Sequence, residues 1–277
     1  MKKLLMLFVG ITVFATVNAF ASDIDIIMPV LKIAKQSIDS TLTEIDKDLK
    51  VAAKELSSVD LKGDAARKIL NGLRQYRPYV IDCSIIDANG IKITVEPAEY
   101  KKYEGVDRSN LPSVAVLLKT KKPEMSDVYH SDEGIHAISI GYPIFSDKGK
   151  FLGAVRMLIR YEVFLKPLVE DKPCKIWVMQ KNGLIVYDAD PEEIGKNIFS
   201  DSMFKPFEDL VSFSKTVALS KDGAGSYNFY ANGLEDKTLV QKIAVWDTAG
   251  IYGTEWRVIA MEIERVLKQP EPAAAGK

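Results

Sequence analysis

Histidine is almost missing from this 277-residue chain: His130 and His136 are the two it has, and both fall in one stretch, YHSDEGIH. With Asp132 and Glu133 between them, they sketch a metal-dependent hydrolase. The spacing argues against it, because five residues across a turn do not give the helical His-x-x-x-His arrangement or any strict ligand spacing. There is no G-x-S-x-G elbow, no phosphate loop and no glycine-rich dinucleotide turn, so the enzyme classes that carry those motifs are excluded and no cofactor is expected. Paired catalytic carboxylates cannot be picked out of 38 acidic residues by sequence alone. Cysteine is equally sparse. Cys83 and Cys174 stand near the starts of two similar segments; export would permit a bridge if their Cα atoms came within about 7 Å, but the reading here is two separate buried thiols. Excess charge is absent too: 37 basic residues against 38 acidic ones leave a net charge of −1 with no long Lys or Arg run, which excludes a phosphate-backbone partner such as nucleic acid.

What is present begins with a leader. Lys2 and Lys3 precede an apolar run over residues 4–17, and Ala19-Phe20-Ala21 forms an A-x-A cleavage site before Ser22. The run is short for a membrane span, although an uncleaved anchor is the alternative, and no later run is long and apolar enough to cross a bilayer. Removing Lys2 and Lys3 leaves 35 basic residues against 38 acidic, net −3. The protein is therefore expected to be exported, periplasmic or extracellular.

From residue 23 to about 74 the chain reads as helix. Leu31, Ala34, Ile38, Leu42, Ile45, Leu49, Ala52, Leu56 and Val59 recur at alternating three- and four-residue steps, a narrow apolar stripe about four heptads long. The stripe has two readings: a coiled coil with a second copy, or a spine for the chain's own sheets. Ser57, Ser58 and Lys62-Gly63-Asp64 interrupt it, with Asp64 placed to cap a shorter helix.

The sequence then repeats itself. In CSIIDANGIKITVEP, residues 83–97, Asn89-Gly90 predicts a hairpin whose two-residue turn takes positive φ at both positions. IWVMQKNGLIVYDADP, residues 176–191, does the same at Asn182-Gly183. Each hairpin is followed by a helical excursion and three more strands, which predicts tandem modules. In the first module the strands are residues 125–131, 135–145 and 151–160, joined by Asp132-Glu133-Gly134 and Asp147-Lys148-Gly149; loops this short predict an antiparallel sheet.

Side-chain alternation along those strands carries the functional reading. One face bears Val155, Met157, Ile159, Ile138, Ile140, Tyr142 and Ile144, and is expected to pack on a helix. The other bears Ala154, Arg156, Leu158, Ala137, Ser139 and Gly141: small residues beside an arginine, as in a cavity. A buried arginine must be paired, either by a carboxylate-bearing ligand or by a protein carboxylate such as Asp107.

The order of parts, with IIDANG, EGVDRS, KKPEMSDVY, GYPIFSDKGKFLGAV and NGLIVYDADPEEIGKN, resembles the double Cache family of extracytoplasmic sensor domains over residues 24–265. The resemblance implies an α+β fold: a long N-terminal helix followed by two PAS-like antiparallel-sheet modules. The implied limits are a leader at 1–21, a helical spine with a short helix at 22–78, a membrane-distal ligand-binding module at 79–168, a membrane-proximal structural module at 169–266 and a flexible tail at 267–277. The family's amino-acid-binding branch uses an Arg, a Trp-Tyr pair and an Asp; Leu111, Ser113, Val114 and Leu158 stand at those positions here, and only Tyr129 matches. With no group left for an ammonium, the expected ligand is a small organic acid held by Arg156, Tyr129 and Ser139, with Ser131, Asp107 and Ser109 nearby. In the second module no inward polar cluster is read, and Trp246 and Trp256 are taken as core. The sequence runs out in a short tail, so the ligand state is expected to pass to a separate membrane receptor, kinase or transporter. The competing readings are the His130/His136 hydrolase and an assembly protein that dimerises through the helical stripe.

Overall fold

The computed structural model describes the backbone of residues 9–267 and the side chains of residues 24–267. The leader reading rests on side chains outside that set, and the tail beyond Leu267 lies outside it altogether.

The three-four stripe builds α1 (Val9–Leu56). Leu31, Ala34, Ile38, Leu42, Ile45, Leu49, Ala52 and Leu56 are all buried, joined by Ile27, while Val59 beyond the helix end is half-buried. A zipper needs this stripe free for a second copy. Here the chain's own residues cover it, so the coiled-coil reading is overturned and α1 is a spine. The helix stops where Ser57 and Ser58 turn their hydroxyls onto the Lys54 and Glu55 carbonyls at 2.6 and 3.3 Å, competing with the helical ladder. In α2 (Asp64–Arg74) the cap position belongs to Gly63; Asp64 sits inside the first turn, where its charge opposes the positive end of the helix dipole.

The chain divides into two compact units, one of residues 37–168 with 249–255, the other of the remaining described residues. In the first, α2 packs on β1 (Val80–Asp87) and β2 (Lys92–Glu96). A 3₁₀ segment (Ala98–Tyr103) and α3 (Pro112–Thr120) follow, then β3 (Glu124–Met125), β4 (Tyr129–His130), β5 (His136–Phe145) and β6 (Phe151–Ile159). The sheet runs β2-β1-β6-β5-β3, with β4 also pairing β5. The single strand expected at 125–131 is thus two short ones, the Ser126 amide still donating to the Ser139 carbonyl at 2.9 Å before the chain leaves the ladder. α1 is tied to this unit by polar contacts: Asp39 accepts from the Gly250 amide at 3.1 Å, and Asp48 meets Arg77, whose guanidinium also donates to the Leu73 carbonyl at 2.7 Å. Because Arg77 and Asp48 remain partly exposed, Asp48→Ala is expected to cost only about 0.5 kcal/mol in urea unfolding.

After α4 (Tyr161–Val169), the second unit repeats the plan. β7 (Lys175–Gln180), β8 (Ile185–Tyr187), α5 (Glu208–Leu219), β9 (Gly223–Tyr230), β10 (Leu239–Ile251) and β11 (Thr254–Val266) give the order β8-β7-β11-β10-β9, the arrangement of the first sheet over again. α5 packs on β9 over an aromatic core in which Phe204, Phe213, Phe229 and Trp246 are buried; Trp256 is also fully buried.

Both Asn-Gly turns are built alike, but not as two-residue turns. Only the glycines take positive φ, +89° at Gly90 and +88° at Gly183. Asp87 and Gln180 each donate to the carbonyl four residues on, at 2.8 Å, and register shifts follow in both hairpins. This is the longer loop in which a glycine supplies a bulge, and side-chain oxygens of Asp87 and Asn182 hold it by accepting the Ile91 and Leu184 amides. Both cysteines are buried free thiols, their ionisation pushed up by burial, Cys174 to about 11.

Candidate functional site

The alternation argument holds strand by strand. Across β5 and β6, Ile138 faces Ile159, Ile140 faces Met157 and Tyr142 faces Val155 on one side of the sheet; Ser139 faces Leu158 and Gly141 faces Arg156 on the other. β1 extends the second side with Ser84 beside Arg156 and Asp82 beside Leu158.

Arg156 is buried, as read from sequence, and the protein carboxylate beside it is Glu124 rather than Asp107. Its Nη2 donates to Ser139 Oγ and, at 3.3 Å, to Ser113 Oγ, and stands 3.6 Å from Glu124 Oε1. Gly141 makes room for that carboxylate: a Cβ there would meet Glu124 Oε1 at 2.8 Å and Leu117 Cδ1 at 2.9 Å. The pairing is incomplete. Both Glu124 oxygens and Arg156 Nε are buried without hydrogen-bond partners, and burial, only partly offset by Arg156, raises the Glu124 carboxyl above its ordinary range.

Beside Arg156 lies a hollow of about 20 Å³, lined among others by Asp82, Lys92, Arg108, Tyr129, Asp132, Glu133, Ser139 and Arg156. That volume suits a single water. Lys92 fills the centre. Its Nζ stands 3.3 Å from Asp132, 3.5 Å from Glu133 and 3.8 Å from Asp82, while Arg108 Nε donates to Asp132 at 2.9 Å. Burial lifts Asp82 to about 7 despite Lys92; Glu133 is also pushed up by burial, but Lys92 and Asp82 outweigh it and hold Glu133 low.

Of the six residues expected from sequence, the structure brings Arg156, Tyr129 and Ser139 to this hollow. Ser131 is buried at the start of the next turn, its amide donating to the Ile135 carbonyl at 2.8 Å. Asp107 is exposed and accepts the Ser109 amide at 2.8 Å, and Ser109 packs beside Gly90; neither lines the hollow. Of the positions that depart from the amino-acid-binding pattern, Leu111 and Leu158 line the hollow, Ser113 binds Arg156, and Val114 sits in an apolar cluster with Ile86, Leu117 and Ala154. Lys92, Arg108, Asp82, Asp132 and Glu133 were missed. Asp82 shares the Arg156 face by strict alternation and was legible; Lys92 and Arg108 arrive through the hairpin exit and a loop, which alternation does not reach. The reading that nothing remains to hold an ammonium is corrected by three acidic side chains, all of which Lys92 approaches.

His130 and His136 face each other directly across β4 and β5, ring centroids 5.4 Å apart and edge to face. Among the described residues no three His, Cys, Asp or Glu side chains gather as a metal site. Nor, among them, is any helix long and apolar enough to cross a membrane.

The second module also has an inward polar cluster, contrary to the sequence reading. Lys175, Asp188, Glu193, Tyr227 and Lys242 line a cavity of about 120 Å³ with Trp177 and Phe229. Alternation would have found part of it, because Lys242 pairs with Tyr227 on the face that also carries Ala244 and Trp246.

Residues 40–161 match the family model of the HK/GC/chemotaxis protein-like sensor domain, and the fold is that of double Cache sensor domains. Among solved structures, an extracellular ligand binding receptor from Desulfohalobium retbaense is 27% identical with a TM-score of 0.69, over 84% of this chain and 39% of that one. The chain therefore spans about two fifths of that receptor's length. The ligand-binding domain of the Campylobacter jejuni chemoreceptor Tlp3, solved with 4-methylisoleucine, is 13% identical with a TM-score of 0.65, over 91% and 96% of the two chains. The Pseudomonas aeruginosa PctB domain, solved with L-Arg, is 13% identical with a TM-score of 0.59, over 87% of each. No curated protein gave a sequence match. The sensor-domain match over residues 40–161 and the lack of a metal-binding group among the described residues lend the His130/His136 hydrolase no support.

Proposed function

We propose that this chain is an exported sensor that binds a small organic anion in its first module and passes its ligand state to a membrane-bound signalling partner. The observation that carries the reading is the convergence of three cations, Lys92, Arg108 and Arg156, on one hollow with Tyr129 and Ser139. The turn after β4 contributes Asp132 and Glu133, which hold Lys92 and Arg108 in place of a ligand. Swinging those two carboxylates aside leaves three cations against Asp82 and Glu124, a net positive hollow that an organic carboxylate neutralises. The ligand thus competes with the protein's own acid groups, and the turn that must move is the element that reports binding. Relatives of this fold serve chemoreceptors and a histidine kinase, which supports a membrane-bound output.

A thermal-shift series with acetate, pyruvate, lactate and succinate selects the probe, and calorimetry then measures it against variants. Arg108→Gln and Arg156→Gln are each expected to weaken binding about tenfold or more, one charge-assisted hydrogen bond apiece. Asp132→Asn is expected to tighten it, since the internal competitor is weakened. Unchanged affinity in Arg156→Gln removes Arg156 from the site, and weaker binding in Asp132→Asn overturns the competition.

A further inference from the structure

The larger enclosed space near buried charge lies in the second module, where neither the family match over residues 40–161 nor the first-module reading assigns anything. Its lining brings an ammonium, an indole N–H and carboxyl groups together around one space. Lys242 is 3% exposed, yet its Nζ has no carboxylate within 4 Å; it rests over the Phe229 ring, 5.3 Å from the centroid. Glu193 is 5% exposed and makes no ion pair. Trp177 is 4% exposed; its indole Nε1 lies beside the Tyr227 hydroxyl without reaching hydrogen-bonding geometry. The neighbours are already engaged: Lys175 donates to Asn232 Oδ1 at 2.7 Å and to the Ala231 carbonyl at 3.2 Å, and Asp190 accepts the Leu234 amide at 2.8 Å.

An unpaired buried donor costs about as much as a lost hydrogen bond, and an unpaired buried charge costs more. Here a cation, an indole N–H and a carboxyl share a cavity of about 120 Å³, roughly four waters' share of the liquid. A plain anion would serve Lys242 and Trp177 and leave Glu193 unanswered; a plain amine would do the reverse. We infer that the second-module cavity is a binding site for a small zwitterion, whose carboxylate meets Lys242 and Trp177 Nε1 and whose ammonium meets Glu193 and Asp188. The aromatic wall of Trp177, Tyr227 and Phe229 limits the body of the ligand to a few carbons and offers ring faces to the ammonium. Burial pushes the Lys242 ammonium down to about 8, and burial with the nearby Asp188 and Asp190 carboxylates lifts Glu193 to about 8. This site is independent of the first-module proposal and can hold if that one fails.

Calorimetry on the full chain with glycine, L-alanine and β-alanine tests it, with methylamine and acetate as the two halves. At least one zwitterion is expected to bind while each half alone binds about tenfold more weakly or worse. Lys242→Met and Glu193→Gln are each expected to weaken binding about tenfold or more, and Asp48→Ala, at a partly exposed ion pair of the other unit, to leave it unchanged. A direct readout guards against a folding defect: on titration of the wild-type chain, the Trp177 indole N–H resonance should move, identified by its loss in Trp177→Phe. Trp246 supplies a control, because its indole already donates to Ser220 Oγ at 3.2 Å. No binding of any of the three zwitterions, a motionless Trp177 resonance on binding, or undiminished binding in both Lys242→Met and Glu193→Gln overturns the inference.

Discussion

Replacing Lys92 by methionine is expected to remove about 3–5 kcal/mol of folding stability at pH 7, measured by urea unfolding. Methionine keeps most of the buried stem and deletes the charge. The lysine side chain is 6% exposed and its partners Asp82 and Glu133 are 1% and 3% exposed, so water cannot replace the ammonium. What remains is a set of acidic side chains in a hollow the size of one water, with Arg108 engaged on Asp132 alone. The effect should depend on pH with a defined sign. Burial raises Asp82 to about 7 in the folded protein, so at pH 5 it already carries a proton and depends less on Lys92. The loss in Lys92→Met is therefore expected to shrink by at least about 1 kcal/mol between pH 7 and pH 5. A loss below about 1 kcal/mol at pH 7, or one indifferent to pH, would show that the lysine is only loosely engaged.

The same residue shows where sequence reasoning reaches and where it stops. Alternation along single strands placed Arg156, Ser139 and Gly141 on one face and the Ile138–Ile140–Tyr142 row on the other, because strand geometry leaves no other choice. The three-four stripe of α1 was legible for the same reason; that it is a spine became visible only once the stripe was seen buried by its own chain. The Asn-Gly pairs marked both hairpins, but the turn type depended on which residue took positive φ, and that was settled by the Asp87 and Asn182 side chains gripping the amides across the turn. Charge pairing was the least legible layer. Glu124 reaches Arg156 across an uneven strand pair, over the gap left by Gly141, and no periodicity predicts which of many acids lies opposite a given base. Lys92 drew no reading from sequence, since lysine is rarely buried; three nearby acids reverse that preference here. The polar cavity of the second module was within reach of alternation. It was passed over because Trp246 and Trp256 read, correctly, as core, and the strand faces of this module were not followed.

That second cavity should also govern how stability responds to alkali. Burial first, then the nearness of Asp188 and Asp190, raises Glu193 to about 8, and burial raises Asp188 to about 6. Over the range in which an unfolded chain has released the Glu193 proton, from about pH 4.5 upward, the folded protein still holds it. The stabilisation from this group is therefore complete below about 4.5 and lost as pH rises towards 8. Lys242, depressed to about 8, acts in the opposite sense but only above that pH, where the unfolded chain still carries its proton and the folded one does not. Glutamine at position 193 keeps the shape and cannot ionise. Glu193→Gln should thus gain on the wild type as pH climbs from 5 to 8, with a limiting slope of about 1.4 kcal/mol per pH unit and a total on the order of 3 kcal/mol in paired urea titrations. The charged neighbours that face it, Lys175, Asp188, Asp190 and Lys242, are common to both proteins and drop out of the difference to first order. Parallel stability curves across that window would mean that Glu193 is ionised and solvated in the folded state, and its carboxyl would then have no reason to wait for a cation.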